Sequence, residues 1–282
     1  MVGKSMRPLR QSARVPRRFT FDDGSFWQEV VQAPALITFL DFDGTLVEIA
    51  PTPDDVDFAT PRKRWLQDIF SLPHCSVGVV SVRPIDELRR LIGLNEIFYV
   101  GCHGLEWAAP DRARYMAWSS RMLVDALSSL RAEMRETMTR FDGVVLEDKG
   151  ISLALHYRMA ERDAAWAARK EFVRAVNWYQ QQGAKLELLP GKEVIEAKPE
   201  GATKGDAISQ IWTRYTPSAL PIYIGDDVTD ESAFNAVGEN GLAILVAEKP
   251  RATAARLFLK NPTEVYVFLR CLTHMREKRE WH

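Results

Sequence analysis

Cysteine is scarce in this chain of 282 residues: Cys75, Cys102 and Cys271 are far apart, and no CxxC pair occurs. An odd number of widely spaced cysteines does not suit a disulfide scaffold or a structural zinc site. The sequence therefore predicts a protein of a reducing compartment, and we expect a cytoplasmic location.

Long apolar runs and a charge excess are also missing. No run approaches the roughly 18 apolar residues that cross a membrane. Lys and Arg total 37 against 38 Asp and Glu, so the net charge of −1 creates no global field toward nucleic acid or membrane. With 46% hydrophobic residues, the composition is that of a soluble globular protein with one large domain or two ordinary ones.

The start of the chain lacks acidic residues and is basic. Its basic residues are Lys4, Arg7, Arg10, Arg14, Arg17 and Arg18. The segment has no apolar core of a signal peptide. A transit peptide or a phosphate-binding arm is the alternative, but we expect residues 1–20 to form a disordered tail.

What the sequence does contain is organised around the stretch Ala35–Val47, which reads ALITFLDFDGTLV. Its apolar first half is typical of a strand buried on both faces of a parallel sheet. Asp41 and Asp43 follow, and residues two apart in an extended chain point the same way. The pattern therefore predicts two carboxylates in one pocket at the carboxyl end of a strand, where open parallel sheets bind their ligands.

Other polar residues follow predicted strands or begin a predicted helix. They are Ser81 after Ser76–Val80, Lys204 in the first turn of Thr203–Tyr215, and Asp226 with Asp227 after Ile222–Ile224. Each alone has a structural explanation as a turn, a cap or a surface residue. Together, in this order, they indicate one site.

The pattern of strands and helices divides the chain into an α/β core and an insertion. Strands alternate with helices in 21–108 and 201–282, which predicts right-handed βαβ units and a Rossmann-like parallel sheet. Residues 109–200 show two long amphipathic helices, each followed by a strand pair, which predicts an α+β cap domain with an antiparallel sheet. We expect the Met and Trp residues of these helices in the cap core, and a helix over Pro250–Lys260.

The polar residues supply what hydrolysis of a phosphate ester requires. Asp41 can attack phosphorus and form an aspartyl phosphate, and Asp43 can protonate the leaving oxygen and later activate water. Ser81 can donate a hydrogen bond to the phosphoryl group, and Lys204 can neutralise its charge.

Clustered carboxylates also suit a hard cation, since their mutual repulsion needs compensation. We expect Mg²⁺ as the cofactor, held by Asp41, Asp43, Asp226 and Asp227. A calcium-binding EF-hand loop is a poor alternative, because Thr45 and Leu46 stand where that loop needs an acid and a glycine.

These motifs resemble, in order, those of the haloacid dehalogenase (HAD) superfamily of phosphotransferases. They are DFDGT from Asp41, then Ser81, Lys204, and GDDVTDE from Gly225. The resemblance implies that Asp41 is the nucleophile and Asp43 the general acid/base, with substrate contacts at Thr45 and Arg83.

One departure from the HAD pattern is Val82, where relatives commonly carry glycine after the serine. Valine avoids positive φ, so this turn must use an ordinary backbone conformation. The direction of the Arg83 side chain is left open.

Segments outside the core motifs resemble trehalose-6-phosphate phosphatases with an inserted C2-type cap. They are GCHGLE from Gly101, the ExKxxSxxxHYR pattern from Glu147 to Arg158, and GKEVIEAKP from Gly191. The resemblance implies that Glu147, Lys149 and Glu196 bind the distal glucose of trehalose 6-phosphate, with Arg158, His103 and Lys192 as weaker candidates. It also implies a place at the last step of trehalose biosynthesis, with a trehalose-phosphate synthase as a partner.

Several alternatives stay open from the residues alone. Glu147 and Lys149 can be an ordinary surface pair on a hairpin, and such pairs contribute little to stability. The substrate can be another sugar phosphate, such as sucrose phosphate, a mannosyl phosphate or glucosyl-3-phosphoglycerate. A phospho-Asp signalling receiver lacks the inserted cap and the second acid, and a non-catalytic sugar-phosphate binding module would not need both Asp41 and Asp43.

Overall fold

The computed structural model describes residues 14–50, 56, 58, 60–111, 113–116, 121–201 and 203–278. Most of the predicted basic tail therefore lies outside the described residues. The chain forms two compact units, the core unit of Met1–Tyr115 with Thr203–His282 and the cap unit of Met116–Ala202. The predicted insertion began at residue 109, but 109–115 group with the core, because the Trp107 and Tyr115 rings stack there.

The strands are given first, in chain order. They are β1 (Arg17–Arg18), β2 (Ala35–Asp41), β3 (Cys75–Val80), β4 (Phe98–Gly101), β5 (Glu106–Ala108), β6 (Arg114–Met116), β7 (Val145–Asp148), β8 (Leu153–His156), β9 (Leu186–Gly191), β10 (Val194–Pro199), β11 (Ala219–Gly225), β12 (Leu242–Val246) and β13 (Leu257–Leu259).

The α-helices follow the same convention. They are α1 (Gly24–Gln32), α2 (Thr60–Phe70), α3 (Ile85–Ile92), α4 (Arg121–Met138), α5 (Arg162–Gln181), α6 (Lys204–Tyr215), α7 (Glu231–Val237) and α8 (Pro262–Glu277). Within the described residues, no helix is both long enough and apolar enough to cross a membrane.

The core unit is built on one sheet with the strand order β1-β13-β12-β11-β2-β3-β4-β5-β6. In this order, every neighbouring pair from β1 through β13, β12, β11, β2 and β3 to β4 is parallel. Strand β5 pairs antiparallel with β4. Strand β2 lies beside β11, although most of the chain separates them in sequence. The predicted Rossmann-like parallel sheet is confirmed.

Alternate residues of the sheet pack into two hydrophobic layers, one on each face. Leu36 and Leu40 of β2 join the layer that includes residues of α1, α2, α3 and α8. Ile37 and Phe39 point to the other face and join residues of α6 and α7. Burial on both faces explains why β2 reads as a continuous apolar run rather than an alternating one.

The expectation of a disordered tail is wrong for residues 14–20. Strand β1 pairs with β13 at the edge of the sheet, and Phe19 is buried against Phe26, Trp27 and Phe268. The basic composition of the segment indicated disorder. The burial of Phe19 and the pairing of β1 with β13 nevertheless order it, despite the surrounding arginines. Burying a phenylalanine contributes about 2 kcal/mol.

The helix expected over Pro250–Lys260 is also wrong. The segment contains β13, whose Leu257 and Leu259 are buried while the strand pairs with β12 and β1. The alanines favour a helix locally, but pairing with the sheet overrides that preference.

The cap unit consists of helices α4 and α5 and the four-stranded antiparallel sheet β7-β8-β10-β9. Its core includes Leu130 and Met134 of α4, Phe172 of α5 and Leu155 of β8. The predicted antiparallel cap is confirmed. The expectation that the Met and Trp residues of the two helices lie in the cap core is wrong for Met122 of α4 and for Trp166 and Trp178 of α5, which are exposed.

Candidate active site

Two neighbouring central strands of the core sheet are each followed by, or end on, an aspartate at their carboxyl ends. Strands β2 and β11 run parallel with Leu40 opposite Ile224, so Asp41 and Gly225 occupy the same level. Asp226 follows Gly225 directly. The carboxyl end of each strand therefore carries one aspartate into the same place.

Gly44 allows the loop after β2 to approach Asp226. Its φ is +88°, and a Cβ at this position would lie 2.2 Å from Asp226 Oδ2. Any other residue would clash with that carboxylate and would be strained by the positive φ. The glycine of the DGT sequence is therefore required by a close approach within the site.

Lys204 connects Asp41, at the end of β2, to a further carboxylate. It is the first residue of α6, which Thr203 caps, and its side chain is buried. Its Nζ donates to Asp41 Oδ1 at 2.6 Å and to Asp230 Oδ1 at 2.7 Å. A buried ammonium between two carboxylates has its charge compensated at both sides.

Asp230 was not among the residues predicted from the sequence. It is fully buried, and the Tyr223 hydroxyl donates to its Oδ1 at 2.7 Å. Its Oδ2 accepts from the Asp227 backbone N–H at 2.9 Å. A signal existed, because Asp230 belongs to the same acidic segment after β11 as Asp226 and Asp227.

Burial governs the electrostatics of this group. It raises the pKa of Asp41 well above its usual value, although Lys204 opposes the shift. Burial and the charge of Asp230 raise the pKa of Asp226 to about 7. For Lys204, burial alone would lower the pKa, but the carboxylates of Asp230 and Asp41 raise it above the ordinary value.

The donor set fits a hard divalent cation. Asp41, Asp226 and Asp230 each offer an oxygen, and these atoms all lie within 4.8 Å of one another. The Asp226 Oδ1 atom is buried without a hydrogen-bond partner among the described residues. An orphaned carboxylate oxygen beside other carboxylates suits Mg²⁺, which prefers hard oxygen ligands.

This group differs from the predicted metal ligands at two positions. Asp227 is exposed, and its carboxylate caps the short 3₁₀ turn Val228–Asp230 instead. Asp43 faces Arg83: its Oδ2 accepts from Nε at 2.8 Å and its Oδ1 from Nη2 at 2.9 Å. Asp41 and Asp226 belong to the group as expected, and Asp230 takes the third place.

Arg83 is held in place from several sides. Its Nη1 donates to Glu87, one turn into α3, and its guanidinium lies over the Phe42 ring. The buried Ser81 Oγ accepts from the Arg83 backbone N–H at 3.1 Å. Val82 is not among the described residues with positive φ, in agreement with the conformation that valine requires.

The GCHGLE segment forms a strained loop next to Ser81 and Arg83. Cys102, His103 and Gly104 have consecutive positive φ values of 48°, 61° and 98°. Backbone bonds from Cys102 N–H to Arg83 O and from His103 N–H to Ser81 O attach the loop to that turn. His103 is buried, and its predicted contact with substrate stays a prediction.

Glu106 stabilises this loop, a structural role that the sequence analysis did not assign to it. Its buried carboxylate accepts from the Ile85 backbone N–H at 2.9 Å, where α3 begins without a side-chain cap. Its other oxygen accepts from Arg114 at 2.5 Å. A carboxylate at a helix start is favourable because it pairs with free N–H groups and the helix dipole.

Thr45 lies in the same turn as Gly44. Its side chain is fully buried, and its Oγ1 has no hydrogen-bond partner among the described residues. A buried hydroxyl without a partner costs free energy, so it is typical of a site that a ligand completes.

The cap unit brings together three predicted residues by strand register. Glu147 of β7 and Glu196 of β10 both lie opposite Ala154 of the intervening strand β8. The Lys149 ammonium donates to Glu196 at 3.0 Å and lies 3.9 Å from Glu147.

Two neighbours extend this cap cluster. Ser152 Oγ donates to Glu196 at 2.6 Å, and His156 Nε2 lies 2.8 Å from Glu147. The hydrogen bond with His156 lowers the pKa of Glu147. Together they form a patch of paired acceptors and donors, as recognition of sugar hydroxyls requires.

The remaining cap candidates do not join this cluster. Arg158 donates to Glu193 at 3.0 Å, and both side chains are more than half exposed. Lys192 is exposed in the turn between β9 and β10. Their contact with substrate therefore stays a prediction.

Known proteins resemble this chain over most of its length. The family model described as trehalose-phosphatase matches residues 39–263. A trehalose-phosphate phosphatase of Mycobacterium marinum is 36% identical over 244 residues, covering 83% of this chain. This chain spans only 60% of the length of that relative.

Solved structures support the fold. The C-terminal domain of the Candida albicans trehalose-6-phosphate phosphatase superposes with a TM-score of 0.75 at 19% identity, covering 94% of this chain and 99% of that one. A trehalose-6-phosphate phosphatase related protein gives a TM-score of 0.74 at 23% identity, covering 86% of this chain and 99% of that one.

Proposed function

The chain belongs to the trehalose-phosphatase family, and we propose that it hydrolyses trehalose 6-phosphate to trehalose and inorganic phosphate through an aspartyl phosphate on Asp41. The observation that carries the proposal is the convergence of Asp41, Lys204 and Asp226 at one end of β2 and β11. A buried carboxylate next to a fixed cation is suited to attack a phosphate ester.

Asp41 acts as the nucleophile in this proposal. One carboxylate oxygen attacks phosphorus, and the bond between phosphorus and the oxygen on C6 of the sugar breaks. The phosphoryl group is thereby transferred to Asp41, and the sugar leaves with its oxygen. Lys204 donates to Asp41 Oδ1, which leaves Oδ2 for the attack. Water then attacks phosphorus and restores the carboxylate with release of inorganic phosphate.

Lys204 neutralises charge during both steps. Its ammonium is already desolvated and oriented by Asp230, which Tyr223 and the Asp227 N–H orient in turn. A preoriented charge costs no reorganisation when the phosphoryl group arrives. Asp230 is therefore a positioning residue for the lysine in this proposal.

Asp43 exchanges protons with the sugar oxygen and the water. Arg83 occupies one lone pair on each carboxylate oxygen and fixes the plane of the group. A carboxylate has about four lone-pair sites, so others stay available for a proton. Asp43 protonates the leaving oxygen in the first step and accepts a proton from water in the second.

We propose Mg²⁺ as the cofactor, held by Asp41 and Asp226 with Asp230 next to them. When bound, the cation supplies charge neutralisation at the phosphoryl oxygens and at the clustered carboxylates. The orphaned Asp226 Oδ1 supports this assignment.

The sugar is recognised by the cap cluster of Glu147, Lys149 and Glu196 in this proposal. Its paired carboxylates and ammonium suit the hydroxyl groups of the glucose that carries no phosphate. The names of the relatives support trehalose phosphate over other sugar phosphates.

A phosphate-release assay with a panel of sugar phosphates tests the proposal. With Mg²⁺, the kcat/KM for trehalose 6-phosphate should exceed that for glucose 6-phosphate or sucrose 6-phosphate by at least ~10²-fold. Preference for another sugar phosphate would overturn the substrate but not the chemistry. No phosphate release from any member of the panel would favour a non-catalytic binding module.

A further inference from the structure

A cavity on the core unit, at the opposite end of the strands from Asp41, combines cations, a carboxylate and an apolar wall. Its volume is about 400 Å³, and its lining includes Arg14, Val15, Arg17, Glu29 and Arg256. We call it the arginine cavity. We propose that it binds an organic phosphate that carries hydroxyl groups, as a second ligand site of this protein.

The arginine cavity lies at the opposite end of the sheet from Asp41. It contacts Leu242 and Leu257, the first residues of β12 and β13. Strand β12 runs parallel to β11, with Leu242 opposite Ile222 and Leu245 opposite Gly225, which precedes Asp226. With about 3.3 Å per residue, the two ends are about 10 Å apart along that strand.

The backbone around the arginines is fixed by pairing, so the cavity is part of the fold. Arg14 and Thr253 exchange two backbone hydrogen bonds of 3.0 Å. The Arg17 N–H donates to the Arg256 carbonyl at 3.1 Å, and the Arg256 N–H donates to the Ala243 carbonyl at 3.1 Å. These bonds place Arg14 and Arg256 on connected segments.

The charges of the arginine cavity are incompletely paired. Arg17 forms an ion pair with Asp23 at 2.5 Å. Neither Arg14, Arg256 nor Glu29 has a side-chain hydrogen bond or ion pair within the part of the chain that the structure describes. Nearby arginines are paired instead, Arg18 with Glu264 and Arg251 with Glu231.

The composition of the lining selects the ligand class. Guanidinium groups bind phosphate through paired N–H donors, so Arg14 and Arg256 suit a phosphate group. Glu29 can accept hydrogen bonds from hydroxyls and would repel a second anion. Val15, an exposed lining residue, supplies apolar surface for the carbon frame. A volume of this size also exceeds what one phosphate ion fills and falls in the range of small-molecule sites.

Calorimetric titration of the full chain with glucose 6-phosphate tests the proposal. Wild type is compared with R14A/R256A and with the matched control R64A/R90A, which removes two exposed arginines of α2 and α3. We expect R14A/R256A to weaken binding by at least ~10-fold, as loss of charge-assisted hydrogen bonds implies, and the control to bind like wild type. Circular dichroism and thermal unfolding check that each variant folds.

Parallel measurements decide between this site and the catalytic one. If R14A/R256A loses glucose 6-phosphate binding but releases phosphate from the best substrate of the sugar phosphate panel within twofold of wild type, the site is separate from the catalytic one. An equal loss of glucose 6-phosphate affinity in R14A/R256A and in R64A/R90A would show non-specific charge attraction and overturn the proposal. Absence of glucose 6-phosphate binding to wild type would also overturn it. Inorganic phosphate that binds as tightly, with the same dependence on Arg14 and Arg256, would overturn the organic part of the ligand class.

Discussion

Arg83 holds both carboxylate oxygens of Asp43, with Nε 2.8 Å from Oδ2 and Nη2 2.9 Å from Oδ1. The two residues are 40 positions apart, and the loop after β2 meets the turn after β3 through this pair. The planar fork of arginine matches a carboxylate in a way that lysine cannot. The proposed acid/base therefore has a fixed orientation in the protein itself.

We predict that Arg83→Lys lowers kcat/KM for trehalose 6-phosphate by about 10–100-fold, because a point charge cannot hold both oxygens of Asp43. Steady-state kinetics of phosphate release measure the loss. Arg90→Lys is the matched control, since Arg90 is exposed on α3, the helix that follows Arg83. Wild-type kinetics for Arg83→Lys would show that the orientation of Asp43 is irrelevant to turnover.

Asp41→Asn should reduce turnover by at least ~10³-fold, about 4 kcal/mol of barrier, because an amide is a poor nucleophile. The substitution keeps the shape of the side chain, so thermal unfolding should show a folded protein. Retention of more than a tenth of the wild-type rate would exclude Asp41 as the nucleophile. Asp43→Asn should also be severely impaired, and phosphate trapped on Asp41 in that variant would support the assigned roles.

Removal of divalent cations with EDTA should abolish activity, and Mg²⁺ should restore it. Mg²⁺ should also raise the unfolding temperature of the wild type, since a ligand that binds the folded state stabilises it. Asp226→Asn should lose this shift, whereas Asp227→Asn should keep most of it, because the Asp227 carboxylate lies outside the clustered group. Equal loss in the two variants would restore the original prediction that both aspartates are ligands.

The cap cluster should determine which phosphate ester is hydrolysed. Glu147→Ala, Lys149→Ala and Glu196→Ala should each lower kcat/KM for trehalose 6-phosphate by at least ~10²-fold, about 3 kcal/mol. The rate with a small aryl phosphate should barely change, because that substrate has no second sugar. Glu171→Ala, which removes a partly exposed partner of Arg174 on α5, is the control. The same loss on both substrates would make the cluster structural.

The ion pair between Arg18, near the start of the chain, and Glu264 should make the free energy of unfolding depend on pH. The hydrogen bond from Arg18 lowers the pKa of Glu264 below its ordinary value of 4.5. A lowered carboxyl pKa contributes stability above about pH 4.5, and the contribution disappears as the pH falls through the folded-state value.

Arg18→Ala should therefore lower the free energy of unfolding by about 1 kcal/mol at pH 7 and by much less at pH 3. Urea unfolding at the two pH values measures the difference. Arg174→Ala, which breaks a more exposed pair with Glu171, should have a smaller effect at pH 7. A pH-independent loss for Arg18→Ala would assign the effect to packing over Phe258.

The sequence predicted the core site well where local order and chemistry coincide. Asp41 ends an apolar strand, and Lys204 begins a capped helix, so each could be placed at an element end before any contact was known. The direct contact between them, 2.6 Å across 163 positions of the chain, follows from the parallel strands that assemble this edge of the sheet. The antiparallel cap could be predicted for a similar reason, because its helices and hairpins have local signatures.

The sequence by itself determined the fold class, the order of the motifs and the chemical groups available, because strand burial, helix caps and residue chemistry are local properties. The tertiary structure alone decided which carboxylates cluster. Asp230 lies with Asp41 and Asp226, while Asp43 pairs with Arg83 and Asp227 caps a turn. It also placed β1 at the edge of the sheet, next to β13, against the local composition of both segments. The physical reason is that strand pairing and side-chain partners across long separations depend on packing energies that no local stretch of sequence contains.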